Sequence, residues 1–291
     1  MQIVRARVLG MCMGVRRAEQ LARQAAEKAV ETGERVFTYG PLIHNPQAVE
    51  ELERHGVGVL DPALVESERL PDLHGAVVII RAHGASLAAI DRLKSAGARI
   101  VDATCPRVIR SQRLARRYEK EGWQVVLVGD PSHGEIAGIL GHTADALVAD
   151  SPAQARLLAA SLKGRRIALI AQTTIREEEY EAVIDVFRDQ ELVVTSEKTI
   201  CPATRERQDA LIELCSLVDA VIIIGGRNSA NTRRLFAAAM GCGKPAWHIE
   251  TARELVPEMA QFARVGITAG ASTPDFIVDE IENALAAMAG A

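Results

Sequence analysis

Three cysteines recur along the chain at nearly equal intervals, each standing between a stretch that reads as strand and one that reads as helix. Cys12, Cys105 and Cys201 are separated by 105 − 12 = 93 and 201 − 105 = 96 residues. The middle one sets the pattern. Ile100 and Val101 are β-branched, Asp102-Ala103-Thr104-Cys105 turns polar, and Pro106 opens a helical pattern. Proline at a first helical position gives up no needed hydrogen bond. A repeat of this kind predicts an α/β fold of three similar units with mostly parallel sheets sharing one centre. The spacing places them at 1–104 (with the N-terminal strand and Cys12), 105–198 and 199–291.

The segments between the cysteines keep the alternation. Ile3 to Leu9 reads as a strand and Val15 to Val30 as an amphipathic helix; further strands are expected at Val36–Tyr39, Val57–Leu60 and Ala76–Ile80. Past Cys105 a helix is expected to about Glu121, with strands at Val125–Val128, Ile167–Ala171, Val221–Ile224 and Val265–Thr268. Several are unbroken apolar runs, the signature of parallel strands buried on both faces.

Composition excludes several functions. A formal net charge of −4 and 3% aromatic residues offer neither the basic field nor the stacking platforms of a nucleic-acid binder. No apolar run is long enough to span a membrane. The amino terminus carries Arg5 and Arg7 where a signal peptide needs an apolar stretch, so a cytoplasmic address is expected. In that reducing compartment five cysteines are hydrophobes, nucleophiles or metal ligands rather than disulfides. No CxxC pair is present. Cys215, inside the amphipathic run Leu211–Val218, and Cys242, in a glycine-rich turn, read as structural.

The remaining polar residues of interest stand where strands are expected to end. They are His44 with Asn45, His83, the loop Ser132-His133-Gly134-Glu135, and Gln172-Thr173-Thr174. Two small, hydroxyl-rich turns follow, Gly225 to Thr232 and Ala269 to Pro274. Each has a bland reading alone: a structural histidine, a first-turn acid favouring a helix dipole, threonines and serines capping helices. A shared edge weighs toward function, because ligands of parallel α/β sheets collect at the carboxyl ends of strands. Helix amino termini with small residues suit phosphate, although the P-loop pattern is absent. Three thiolates suit a 4Fe-4S cluster with one iron lacking a protein ligand. A hydro-lyase, a non-catalytic iron–sulfur sensor binding a phosphorylated ligand, and a mononuclear zinc protein remain open on these residues.

In order and wording these motifs resemble the 4-hydroxy-3-methylbut-2-enyl diphosphate reductase (LytB) family. The matching segments are Gly10–Val15, Ile43–Asn45, Ala82–Gly84, Asp102–Pro106, Ser132–Glu135, Gln172–Thr174, Cys201–Thr204 with Arg207-Gln208, Asn228–Asn231 and Thr268–Pro274. The resemblance implies three α/β units in trefoil arrangement around a central iron–sulfur cluster, a place in isoprenoid biosynthesis by the methylerythritol phosphate pathway, and a one-electron donor such as ferredoxin or flavodoxin. It implies cluster ligation by Cys12, Cys105 and Cys201, and a diphosphate pocket lined by His44, His83, His133, Ser229, Asn231 and Ser272. Glu135 would supply protons and Thr173 would position the substrate hydroxyl. Two positions depart from the family pattern: Met11 where an aromatic is common, and Ala230 where a second serine is expected.

Overall fold

The computed structural model describes residues 1–67, 69–190 and 192–290; Glu68, Glu191 and Ala291 lie outside the described residues. Its strands are β1 (Gln2–Arg5), β2 (Arg35–Tyr39), β3 (Val57–Leu60), β4 (Ala76–Ile80), β5 (Arg99–Asp102), β6 (Gln124–Val128), β7 (Leu147–Ala149), β8 (Arg166–Ala171), β9 (Val193–Glu197), β10 (Ala220–Ile224), β11 (Ala246–Ile249) and β12 (Arg264–Ala269). Between them run α1 (Met13–Thr32), α2 (Pro46–Arg54), α3 (Pro62–Glu66), α4 (Leu87–Ser95), α5 (Pro106–Lys120), α6 (Gly134–Leu140), α7 (Pro152–Ser161), α8 (Glu177–Arg188), α9 (Pro202–Leu217), α10 (Ala230–Gly241) and α11 (Asp275–Gly290). None is long and apolar enough to cross a membrane.

The strands form three four-stranded sheets, ordered β3-β2-β4-β5, β7-β6-β8-β9 and β1-β12-β10-β11, with every pair parallel. Parallel neighbours require crossover helices on the faces, so the central strands lose both faces to the core. All five residues of β4, β6 and β10 are buried. Their Val, Ile and Leu side chains fill it; truncating one to alanine costs about 2–5 kcal/mol.

The chain divides into two compact units, one comprising Met1–Arg16, Ile43–Arg54 and the stretch from Pro202 onward, the other Arg17–Leu42 and His55–Cys201. The second holds the sheets β3-β2-β4-β5 and β7-β6-β8-β9. Its helices carry ordinary signals. Ala18, Ala22 and Ala26 make a buried stripe on α1. The Ser151 and Ser86 side chains accept from Gln154 N–H and Ala89 N–H to cap α7 and α4. Three glutamates in the first turn of α8 complement its dipole.

The N-terminal strand corrects the expected grouping. It does not join the first sheet; β1 pairs with β12, Gln2 opposite Arg264 through Arg5 opposite Ile267. From Val265 onward β12 is buried, and without β1 it would present an apolar edge. Each sheet then has one plan. Its first strand sends the second to one side and the third and fourth to the other, and β1 serves as fourth strand beside β12. Cys12, Cys105 and Cys201 follow β1, β5 and β9, the fourth strand each time. That is the origin of their even spacing. The expected strand at Ile3–Leu9 is also too long, because the chain bends after Arg5.

Candidate active site

Where neighbouring strands send their connections to opposite sides, the carboxyl ends leave a crevice that binds ligands. In the three sheets this switch lies between β2 and β4, β6 and β8, and β10 and β12. The turns leaving those strands carry His44, His83, His133 with Glu135, Thr173, Ser229 with Asn231, and Ser272.

In the unit of residues 17–42 and 55–201, six predicted residues are interlocked. His133 caps α6, its Nδ1 accepting the Glu135 N–H at 3.2 Å. Its ring meets that of His83 edge-on, with centroids 4.9 Å apart. The Glu135 side chain is 1% exposed. Its carboxylate is held by the neighbouring turn: Oε1 accepts Thr173 N–H at 2.7 Å and Oε2 accepts the Thr173 hydroxyl at 2.6 Å. Thr173 therefore does not cap α8, as its position alone suggested. Its carbonyl accepts Cys201 N–H at 2.9 Å, and the Ala82 carbonyl accepts Cys105 N–H at 2.9 Å. Both cysteines are thus tied by backbone to turns that carry the acid–hydroxyl pair or His83.

Two further residues hold this site, Gln172 and Arg81. Gln172 locks the β6 turn, its Oε1 accepting Asp130 N–H at 2.9 Å and its Nε2 donating to Thr174 Oγ1 at 3.1 Å. Arg81, at the exit of β4, has a buried Nε without a hydrogen-bond partner. Burial holds its guanidinium below the usual arginine range. A Cβ on Gly134, between His133 and Glu135, would run into that guanidinium. The signal was present in sequence: a lone arginine ending an apolar run.

In the other unit, Cys12 N–H donates to the Ala271 carbonyl at 3.0 Å. Arg207, 3% exposed, holds the Gly10 carbonyl through Nε at 3.2 Å and a terminal nitrogen at 2.6 Å. The Ser229 side chain caps α10, accepting Thr232 N–H at 3.3 Å, and receives the Ser272 hydroxyl at 3.3 Å. His44 stands at the entry to α2, and any side chain on Gly226 would run into its carbonyl. Asn45 accepts Ala48 N–H at 2.9 Å. The amide nitrogens of Asn45 and Asn231 are buried donors without partners. Buried unsatisfied donors are rare and point to a ligand acceptor. With two serine hydroxyls at a helix start, they suit an oxyanion.

None of the five cysteines is in a disulfide; Cys12, Cys105, Cys201 and Cys242 are partly exposed and Cys215 is buried. Burial and the neighbouring Cys242 thiol push Cys215 up to about 12. Accessible thiols at strand-to-helix junctions, as at Cys12, Cys105 and Cys201, are donors of the kind an iron–sulfur cluster takes; the buried thiol of Cys215 is not.

The sequence profile of the LytB protein family matches residues 3–286. The chain is 43% identical over 289 residues to the 4-hydroxy-3-methylbut-2-enyl diphosphate reductase of Treponema denticola, covering 98% of this chain and 99% of that one. The enzyme of the same name from Treponema pallidum (strain Nichols) is 40% identical over 314 residues, covering 97% and 83%. Among solved structures, an (E)-4-hydroxy-3-methyl-but-2-enyl diphosphate reductase, the terminal enzyme of the non-mevalonate pathway, superposes with a TM-score of 0.72 at 36% identity over 99% of this chain and 100% of that one. The Plasmodium falciparum E-1-hydroxy-2-methyl-but-2-enyl-4-diphosphate reductase shares the fold, with a TM-score of 0.86 at 22% identity over 97% and 87%.

Proposed function

This chain belongs to the LytB protein family, and from that premise we propose that it reductively dehydroxylates 4-hydroxy-3-methylbut-2-enyl diphosphate to isopentenyl and dimethylallyl diphosphate. The reaction takes two electrons and two protons and releases one water. Cys12, Cys105 and Cys201 would hold a 4Fe-4S cluster, which supplies a Lewis-acidic iron and a route for electrons when bound.

The protein's own side chains do the rest. His44, His83 and His133, with Ser229, Asn231 and Ser272, bind the diphosphate, and the Asn45 amide adds a buried donor. Hydroxide is a poor leaving group, so a proton must reach the substrate oxygen as its carbon–oxygen bond breaks. Glu135 delivers it, and the Thr173 hydroxyl orients the substrate's hydroxyl group toward that acid. A second proton at either end of the reduced allylic unit fixes which product forms. Electrons come from a one-electron donor such as ferredoxin or flavodoxin.

The observation that carries this reading is the buried Glu135–Thr173 contact, with Cys201 hydrogen-bonded to the same threonine. A protein that merely binds a phosphorylated ligand needs no buried acid held by a hydroxyl on a turn that anchors a cysteine by its backbone. The test is an anaerobic assay with the allylic diphosphate and dithionite-reduced methyl viologen. Substrate-dependent oxidation of the viologen, with both products formed, is expected. Turnover of the substrate without reductant would identify a hydro-lyase instead.

A further inference from the structure

The helix that follows Cys105 breaks the ordinary electrostatic rules for a helix start. In fifteen residues α5 carries six basic side chains and one acidic one, and its first turn has no acid. Positive charge near a helix amino terminus opposes the dipole, and like charges three or four residues apart repel. Local rules broken in this way are concentrated at functional surfaces. Arg107, Arg110, Arg113, Arg117 and Lys120 are exposed, although the chain as a whole is net negative. Arg110 and Arg117 reach Glu197 at 3.6 and 3.3 Å. Arg107 and Arg113 make no ion pair among the described residues.

Arg110, Arg113 and Arg117 stand round a groove of about 370 Å³ whose other walls are Pro106, Ile109 and Leu114. The groove opens one residue after Cys105, and at 1.5 Å per residue it follows the helix for roughly 18 Å. Arg17 adds a guanidinium at the same end, donating to the Thr104 and Asp102 carbonyls at 3.3 and 3.4 Å. An apolar floor within a ring of arginines has the composition of an interface core, and no aromatic lines it for base stacking.

We propose that this face of α5 is the docking surface for an acidic one-electron carrier protein. Its carboxylates pair with Arg107, Arg110, Arg113 and Arg117, and the apolar rim around its redox centre seats on Pro106, Ile109 and Leu114. Charge complementarity selects this occupant, since a basic groove steers an acidic partner and fixes its orientation. The proposal rests on the reductase reading, which requires two electrons per turnover, delivered one at a time. The site of entry is then the end of α5 that begins at Cys105.

The test uses the cluster-loaded protein, prepared anaerobically, with a plant-type [2Fe–2S] ferredoxin of strongly negative charge as probe. Binding is measured by calorimetry at rising ionic strength, and turnover is measured with ferredoxin and with reduced methyl viologen. Affinity should fall with salt. Arg113→Glu should weaken ferredoxin binding and lower kcat/KM for ferredoxin by about tenfold. Arg113→Gln should give a smaller loss in the same direction, and serves if the reversal disturbs folding. Arg156→Glu, an exposed reversal on α7, should leave binding as it was, and all three variants should match the parent with viologen. Ferredoxin affinity unchanged by Arg113→Glu, or equally weakened by Arg156→Glu, would overturn the assignment of this surface. Absence of viologen oxidation by the parent protein would instead remove the reductase reading.

Discussion

Glu135 and Thr173 lie 38 residues apart on different turns of one sheet, yet both carboxylate oxygens of Glu135 are taken by Thr173, one by its N–H and one by its hydroxyl. The strands that deliver them, β6 and β8, are direct neighbours, Val128 opposite Ala171. Sheet register therefore sets the pair, and Gln172 fixes it by holding Asp130 N–H across the same gap. Acid and hydroxyl are oriented before any substrate arrives.

Glu135→Gln keeps an oxygen for Thr173 N–H but gives up the acidic proton. Turnover should fall on the order of 10²-fold or more while the diphosphate still binds, as for loss of a general acid. Thr173→Val should act in the same direction. It also leaves a buried carboxylate oxygen without its donor, at a cost of about 1–3 kcal/mol. Steady-state kinetics with reduced viologen and a thermal melt of each variant separate the two effects. Parental turnover in Glu135→Gln would place the proton source elsewhere.

Serine in place of Cys12, Cys105 or Cys201 should abolish stable cluster binding, since a hydroxyl is a poor substitute for thiolate. Cys215→Ser and Cys242→Ser should keep nearly all the iron. Cys215 should also resist alkylation at neutral pH, because a thiol pushed up to about 12 is almost wholly protonated there. Iron and sulfide per chain, with mass analysis after iodoacetamide treatment, read both points. Equal iron loss at all five positions would sink the ligand assignment.

Arg81 gives a sharper contrast. A cation whose Nε is buried and unbonded costs stability in the resting protein. It stands against Gly134, between His133 and Glu135, where an anionic substrate would repay that cost. Arg81→Met should therefore raise the melting temperature of the unliganded protein by roughly 2–4 °C, and raise KM about tenfold with a smaller change in kcat. A lower melting temperature together with an unchanged KM would make Arg81 a purely structural residue.

The central strands were legible because burial on both faces leaves unbroken apolar runs such as Ala76–Ile80 and Ala220–Ile224. The strands missed in sequence, β7, β9 and β11, all lie at sheet edges. There half-burial mixes the composition: Val193–Glu197 includes Thr195, Ser196 and Glu197. Pairing of β1 with β12 joins the two ends of the chain, and no local pattern reports that. At the site, residues with reactive side chains stood out, whereas the residues that hold them did not. Gln172 and Arg207 act through hydrogen bonds to backbone distant in sequence, which only coordinates reveal; Arg81, ending an apolar run, and Asn45, beside His44, were visible in sequence, but their unpartnered buried nitrogens were not.

Ala230 is the first residue of α10 and 4% exposed. It lies between Ser229, whose hydroxyl already caps the helix, and Asn231, whose amide nitrogen is a buried donor without partner. A serine here would add a second hydroxyl to that turn, where this chain has a methyl group. A hydrogen bond to a charged acceptor is worth about 1.5–3 kcal/mol, less whatever water already supplies at an open site. The diphosphate keeps its charge and bonding throughout the reaction, so the new contact acts alike on ground and transition states. Uniform binding of that kind lowers KM and leaves the bound step untouched. Ala230→Ser should then lower KM by up to about tenfold at nearly constant kcat. Anaerobic steady-state kinetics of the two proteins measure this directly. An unchanged KM would mean that residue 230 does not face the diphosphate.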